Sequence, residues 1–362
     1  MDIHRQNRHR EKKIFNLISN KLSFSTIYWL HLSNLTTLLL LPVLFSCHTA
    51  QEIGPEGEDV RLETKAAISC PLSSLVRSQL DIFTFDDSGT RHLDSYQHCE
   101  EFTGQEVNLR SGSGEKIVFV CSNSQKSRQE WSIVNSMEAL DRIHVDIRKE
   151  SWESLCMTGG TGMDAGSGNP VSIDMRTLAS EVVLRSVSCD FTGRAYRDSA
   201  ISDVRVYLTN VNARCSITAD GDVIPTEIIN AGCLDEEDMA TMIEPQILVQ
   251  DIPGGIRGKA SDISLCFLCY PNASPKDTPG TPFTRLVIEG RIDGETWWWP
   301  IDINRDGTSE EQGIHRCRQY IYDIVITRKG SSDPDTVVDT DAVRLQMNIR
   351  PWKEKDEYQV SF

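Results

Sequence analysis

The chain has 362 residues, of which 39% are hydrophobic, 25% are charged and 7% are aromatic, and its formal net charge is −16. This composition excludes a polytopic membrane protein and an intrinsically disordered chain, and it is typical of one or two globular domains. An acidic chain repels phosphate backbones and offers no basic stripe for counterion release, so the composition also argues against a nucleic-acid partner.

The N-terminal segment has the pattern of an export signal. A basic start is followed by the apolar run LTTLLLLPVLFS over residues 35–46, which is shorter than a bilayer span and about as long as the apolar region of a signal peptide. Leu44 and the small residue Ser46 precede Cys47, and this ending resembles the lipobox of bacterial lipoproteins. The resemblance implies a lipoprotein signal peptide over residues 1–46, lipidation (diacylglycerol and palmitate) at Cys47 and a linker over 47–57. An ordinary cleaved signal with an incidental Cys47 is the alternative.

Beyond residue 58 the dominant pattern is alternation of apolar and polar residues in short runs, separated by Gly, Asn, Asp and Pro. The predicted strands are 60–69, 79–85, 106–109, 116–121, 171–175, 181–187, 201–209, 263–270, 285–292, 297–303, 321–327 and 343–349. Helical periodicity is weak and confined to residues 136–146 and 235–243. The turn spacing is that of β-sandwiches, so an all-β fold with few short helices is predicted.

A glycine-rich segment, TGGTGMDAGSGNP over residues 158–170, interrupts this pattern. A phosphate-binding loop of similar composition would open a helix, whereas a predicted strand follows here. The segment is therefore predicted to be a linker, which gives a first domain over residues 58–165 and a second over 166–362.

Eleven cysteines are spread through the sequence, most of them singly within apolar alternations, where a thiol serves as a small hydrophobic residue. Buried free thiols are the preferred interpretation, and one or two disulfides remain an alternative. Cys266 and Cys269 form a lone CxxC in a strand-like run, which does not favour zinc.

Several segments, in this order, resemble the fimbrillin-type (type V) pilins of Gram-negative gut and oral anaerobes. The matching pieces are FTFDDSG at 83–89, EKIVFVCSN at 115–123, MTG at 157–159, VSIDMRTLASEVV at 171–183 and, most specifically, YDIVITRKGSSDPD at 322–335 with the strand 343–349, Pro351-Trp352 and a terminal strand at 358–362. The resemblance implies two transthyretin-like β-sandwich domains of Greek-key type, without cofactor or enzymatic activity.

The same resemblance implies a structural fimbrial subunit that is exported to the outer membrane as a lipid-anchored precursor. It would assemble with other fimbrial subunits into surface fimbriae that adhere to a host or bacterial surface ligand. In that family an Arg- or Lys-specific protease removes the first strand, and a strand from a neighbouring subunit's C-terminal region fills the groove. The basic residues near the predicted first strand are Arg61, Lys65 and Arg77, and cleavage after Arg77 would free all of it.

Two apolar rows near the C-terminus have the alternation that a donor strand requires, and both lie within residues 342–362. The rows are Val343, Leu345, Met347 and Ile349, then Tyr358, Val360 and Phe362. The last strand of the chain's own domain would need the same pattern, so both interpretations stay open. An anchor or tip subunit of the same fimbria is one alternative function, and a monomeric surface lipoprotein that binds glycan or protein is another.

Three further patterns are weaker. Asp302, Asn304 and Asp306 match the first half of a calcium loop, but the twelfth position is Gly313, so an acidic surface turn is preferred over a metal site. In the triplet Trp297–Trp299 the outer two side chains should share one strand face, which favours core packing over a sugar platform. HExxH and GxSxG motifs are absent from the sequence, so no enzyme is predicted.

Overall fold

A computed structural model describes residues 61–70, 72, 79–100, 102, 106–258, 261–307, 309–338 and 342–353. Cys47, Arg77, Tyr358, Val360 and Phe362 lie outside these residues. The described strands are β1 (Leu62–Ser69), β2 (Leu80–Asp86), β3 (Leu93–Cys99), β4 (Glu106–Ser111), β5 (Glu115–Ser122), β6 (His144–Asp146), β7 (Met157–Asp164), β8 (Val171–Asp174), β9 (Arg176–Thr177), β10 (Ser180–Cys189), β11 (Ser202–Thr209), β12 (Val211–Asn212), β13 (Arg214–Ser216), β14 (Ile228–Ile229), β15 (Val249–Ile252), β16 (Ser261–Cys269), β17 (Arg285–Ile292), β18 (Glu295–Asp302), β19 (Arg318–Ile326) and β20 (Val343–Pro351). The short helices are α1 (Arg128–Trp131), α2 (Met137–Asp141) and α3 (Glu236–Ala240), and 3-10 turns span Ile147–Lys149 and Pro245–Ile247. The predicted all-β sandwich fold is confirmed.

The N-terminal sandwich is built from two sheets. Sheet A has the order β4-β1-β8 and sheet B the order β3-β2-β5-β7-β9. Alternate residues of each sheet meet in one apolar core, for example Ile68 and Leu109 of sheet A with Ile82 and Val120 of sheet B. Period-two alternation in β1 and β4 explains why these segments form strands with one buried and one exposed face.

The C-terminal sandwich pairs sheet C, with the order β16-β10-β19-β20, and sheet D, with the order β15-β11-β17-β18. Most strand pairs are antiparallel, while β10 and β19 run parallel. The core between the sheets is rich in large side chains, among them Phe267, Trp299 and Tyr322. Strand β20 is hydrogen-bonded to β19 along its whole length and forms one edge of sheet C.

The core of the C-terminal sandwich continues to the second face of sheet B. Phe83, Phe119 and Cys121 on that face belong to the same buried cluster as the C-terminal core, together with Trp131 of α1 and Leu140 of α2. Strand β2 is consequently buried on both faces. A short ladder between β6 and β13 also joins the two parts of the chain.

The glycine-rich segment is a strand in its first half, which corrects the prediction of a linker over residues 158–170. Met157–Asp164 forms β7 and pairs with β5 over eight residues. Gly159 has a packing role, since a Cβ there would lie 2.5 Å from the backbone oxygen of Asp174. Composition alone does not distinguish this close approach of two backbones from a flexible linker.

The predicted boundary at residue 165 also differs from the strand pairing. Strand β8 adds to β1 in sheet A, and β9 adds to β7 in sheet B. Strands β8 and β9, which end at Thr177, therefore belong to the N-terminal sheets, although the sequence pattern places them at the start of the second domain.

Candidate functional site

Strand β1 lies at the centre of sheet A. It pairs antiparallel with β4 and, over its last four residues, parallel with β8. Thr64, Ala66 and Ile68 point into the N-terminal core and are buried, while the residues between them are exposed. The Ser69 hydroxyl donates a hydrogen bond to the Asp174 carboxylate at the end of the β1–β8 pair. The strand therefore contributes both backbone pairing and core side chains to the sandwich.

A sheet without β1 would have a groove in its place. Strands β4 and β8 would each expose an unpaired edge, and Leu109 and Ile173, which are fully buried beside β1, would line the opening. Such a groove can accept an added strand, because unpaired backbone groups and apolar pockets are satisfied together.

The basic residues proposed for processing occupy different positions relative to β1. Arg61 directly precedes the strand, and its guanidinium donates to the backbone oxygen of Asp94 at 3.2 Å. Lys65 has an exposed side chain, but its backbone lies within the β1–β4 ladder opposite Asn108. Cleavage after Arg61 leaves all of β1 in place, and cleavage after Lys65 divides it. Arg77, which follows β1 in the sequence, lies outside the described residues.

The predicted donor face at the C-terminal end is only partly covered. Val343 is buried, Met347 and Ile349 are half-buried against the core, and Leu345 is 39% exposed. Three of the four residues of this row thus pack on their own sandwich, and a role as donor strand stays a prediction.

The connection between β19 and β20 is held against sheet D. Ser331 pairs with Trp298 on β18 through two backbone hydrogen bonds of 2.8 and 3.1 Å. Asp335 accepts from the Arg285 guanidinium, which is 4% exposed and also binds Asp277. The segment that leads into β20 is thus anchored by an ion cluster around the buried Arg285 guanidinium.

The tryptophan triplet divides as predicted between two faces of β18. Trp299 is fully buried, and its indole N–H donates to the backbone oxygen of Arg328 at 3.0 Å. Trp297 packs against the same core at its margin, where the ammonium of Lys329 lies 4.9 Å from the ring centroid. Two of the three tryptophans, Trp297 and Trp299, therefore pack against the core.

The residues of the calcium pattern have other partners. Asp302 accepts a 2.8 Å hydrogen bond from the Arg285 Nε, and burial raises the pKa of its carboxyl group while Arg285 opposes that shift. The Asn304 amide nitrogen donates to the backbone oxygens of Glu311 and Gly313, so this side chain closes the turn. Asn304 has a positive φ of 52°, and Asp306 follows it by two residues.

A buried carboxyl group that the sequence patterns did not indicate lies where the two sandwiches meet. Glu150 is fully buried and accepts hydrogen bonds from the Tyr270 hydroxyl at 2.6 Å, the Gln125 amide at 3.2 Å and the Cys156 backbone N–H at 3.1 Å. Burial raises the pKa of Glu150 to about 7, and these hydrogen bonds partly offset the shift. Its partners come from both sandwiches, so it joins them.

Arg316 is the second buried charge at this junction. Its guanidinium donates to the backbone oxygens of Thr177, Ala219 and Arg176 and to the Thr158 hydroxyl at 2.9 Å. These acceptors come from both sandwiches and are all uncharged, and burial lowers the pKa of Arg316. Neither buried charge is indicated by a sequence pattern, because the partners of both are distant in the chain.

Within the described ranges there is no group of three or more His, Cys, Asp or Glu side chains arranged to hold a metal ion. The part of the chain that the structure describes also contains no helix of the length and apolarity that a membrane span requires.

Comparison with known proteins finds similarity at the level of structure. Neither a family model nor a curated protein matches the sequence. Two solved structures, each described as a "putative cell adhesion protein", cover 82% of this chain at 15% identity and a TM-score of 0.60. They come from Bacteroides eggerthii and Parabacteroides distasonis, and 97% and 98% of their own chains are covered.

The structure of a fimbrilin from Porphyromonas gingivalis covers 82% of this chain and 98% of its own, with 13% identity and a TM-score of 0.58. The resemblance to fimbrillin-type proteins that the sequence motifs indicated is therefore confirmed in the fold. The chain has the all-β sandwich fold of the fimbrilin and of these cell adhesion proteins.

Proposed function

We propose that this protein is a structural subunit of a surface fimbria, exported as a lipoprotein and polymerised by strand exchange after proteolytic removal of β1. It would act without catalysis and would contribute to adhesion through the filament. The observation that carries the proposal is the position of β1, a central strand that precedes every other described strand and fills the core between β4 and β8.

The position of the basic residues supports one cleavage site over the others. A cut that opens the groove must fall between the end of β1 at Ser69 and the start of β2 at Leu80. Arg77 is the one Lys or Arg of the sequence in that interval. We therefore propose Arg77 as the processing site, and Cys47 as the lipid anchor of the precursor.

Strand β20 is the proposed donor, together with the residues that follow it. It is an edge strand, and its apolar row Val343, Leu345, Met347 and Ile349 is only partly covered by its own sandwich. A donated strand in a neighbour's groove makes a head-to-tail contact that propagates as a filament.

The proposal is tested by measuring the N-terminus and intact mass of the protein sheared from the cell surface. A start at Ser78 and a detergent-resistant ladder of subunits are expected. Arg77→Ala should retain β1 and abolish the ladder, whereas Arg61→Ala, the matched control, should leave both unchanged.

A surface form that keeps a lipidated Cys47 and β1 contradicts the role of a shaft subunit. It would be the result expected of an anchor subunit or of a monomeric surface lipoprotein that binds glycan or protein. Those two alternatives are separated by whether the protein copurifies with filaments.

A further inference from the structure

Two buried thiols face each other at the junction of the sandwiches. The sulfur atoms of Cys121 on β5 and Cys156, immediately before β7, are 3.9 Å apart. The side chains are 0% and 1% exposed. The two residues are separated by α1, α2 and β6 in the sequence, so a covalent bond between them would close that whole segment into a loop.

The strand register explains the proximity of the two sulfurs. Cys121 is opposite Thr158 in the β5–β7 ladder, so Cys156, two residues before Thr158, has its side chain on the same face of the sheet. Cys156 lies one residue beyond the last paired residue, Met157, and its backbone N–H is bonded to the Glu150 carboxyl group. Its position is therefore set outside the β5–β7 ladder. Formation of the bond requires the sulfurs to approach from 3.9 Å to about 2.05 Å.

Three other buried thiols are oriented differently. Cys189, Cys269 and Cys317 each point at a backbone carbonyl oxygen, at 3.7, 3.8 and 3.7 Å respectively. These thiols behave as small core residues. Cys121 likewise lies 4.0 Å from the Ser122 carbonyl oxygen, but it differs from these three in its contact with a second thiol sulfur, that of Cys156 at 3.9 Å.

We propose that Cys121 and Cys156 are a modification site, a dithiol that a disulfide oxidant converts to an intramolecular disulfide. The thiolate of one cysteine attacks the oxidant to give a mixed disulfide and one thiol. The other thiolate then attacks the protein sulfur of that mixed disulfide, which forms the Cys121–Cys156 bond and releases the second thiol. Two electrons pass to the oxidant, and its two sulfurs take up the two protons.

The timing of the reaction follows from burial. The contact with Cys121 and burial raise the pKa of the Cys156 thiol, so the reactive thiolate is scarce in the folded protein. The timing rests on the proposed function, in which the chain is exported: oxidation takes place as it folds outside the reducing cytoplasm, and once formed the bond is shielded from reductants. A loop of this length should stabilise the folded state substantially, because the crosslink restricts the unfolded chain.

The test is peptide mapping of the full chain refolded with reduced and oxidised glutathione, after alkylation without reduction. Trypsin places Cys121 in residues 117–126 and Cys156 in residues 150–176, each with a single cysteine. The expected result is a crosslinked pair of these peptides, lighter than their sum by two hydrogen atoms. Protein that is reduced in denaturant and refolded without oxidant should have a thermal midpoint about 5 °C lower.

Cys121→Ala and Cys156→Ala should each remove the crosslink and the effect of reductant, whereas Cys215→Ala, also buried, should retain both. Recovery of both cysteines in alkylated form, or crosslinked to a third cysteine, overturns the proposal. If the variants do not fold, the peptide map of the unaltered chain still decides the question.

Discussion

The Tyr270 hydroxyl donates a 2.6 Å hydrogen bond to the carboxyl group of Glu150, and through it the end of β16 in the C-terminal sandwich contacts the chain that enters β7. Both side chains are fully buried. The pair therefore makes the fit of the two sandwiches depend on the protonation of one carboxyl group.

That dependence predicts how stability changes with pH. Since the pKa of Glu150 is raised from 4.5 to about 7 by burial, the folded state binds more protons than the unfolded state between these values. The contribution of Glu150 to the free energy of unfolding should thus be highest below pH 4.5. It should fall by about 3 kcal/mol as the pH rises from 4.5 through 7. Glu150→Gln should flatten this decline, as measured by urea unfolding at pH 5 and pH 8.

Glu153→Gln is the matched control, because Glu153 is exposed in the turn that follows. Its unfolding curve should shift with pH as that of the unaltered protein does. An equally steep decline in Glu150→Gln would contradict the assignment of this dependence to Glu150.

The ion cluster at the base of the β19–β20 connection predicts a second effect. Arg285→Ala removes the shared partner of Asp277, Asp302 and Asp335, which then repel one another. These carboxylates are partly exposed, so the loss should be about 2 kcal/mol, below that of a fully buried pair. Arg291→Ala, whose pair with Asp203 is exposed on both sides, should change the free energy of unfolding by less than about 0.5 kcal/mol. Chemical denaturation measures both.

Substitutions of neighbouring tryptophans of β18 should differ strongly in their effect on the free energy of unfolding. Trp299→Ala removes a fully buried side chain and the hydrogen bond to the Arg328 carbonyl group. It should lower the free energy of unfolding by about 3–5 kcal/mol. Trp298→Ala, on the half-buried face of the strand, should cost less than half as much. Equal losses measured by urea unfolding would show that the outer face is packed as tightly as the core.

Two glycines of β7 provide a further comparison. A Cβ at Gly159 would meet the backbone of Asp174 at 2.5 Å, so Gly159→Ala should cost about 1–3 kcal/mol through displacement of the β8–β9 connection. A Cβ at Gly162 has its nearest neighbour, the Lys116 oxygen, at 4.0 Å, so Gly162→Ala should be nearly neutral. Thermal unfolding of the two variants separates close packing from simple loss of flexibility.

These glycines also show why part of the fold was not predictable. Strand β17, with the apolar run Leu286–Ile288 and a terminal Asp-Gly turn, is predicted from the sequence to the residue, whereas β7 is predicted to be a linker. Three of the eight residues of β7 are glycines, and the reason for Gly159 is a neighbouring backbone that is distant in sequence. Local patterns carry no information about such an approach.

The candidate sites divide in the same way. The alternation in β20 and the tryptophan triplet follow from strand geometry and were predictable, since each depends on adjacent residues. The buried Glu150 and Arg316 were not, because a polar residue becomes a core residue only when partners from other strands surround it. Likewise, the oxygen pattern of Asp302 and Asn304 was visible, but the Arg285 side chain that binds Asp302 was not.

The two neighbours of β1 bear on the direction of any strand that is inserted between β4 and β8. Because β1 is antiparallel to β4 and parallel to β8, a guest strand of either polarity meets one neighbour of each kind. Backbone pairing alone therefore does not select the direction in which such a strand enters. The direction is selected by the side chains that point into the core. In β1 the small Ala66 lies between the larger Thr64 and Ile68, so the order of side-chain sizes along an inserted strand decides its orientation.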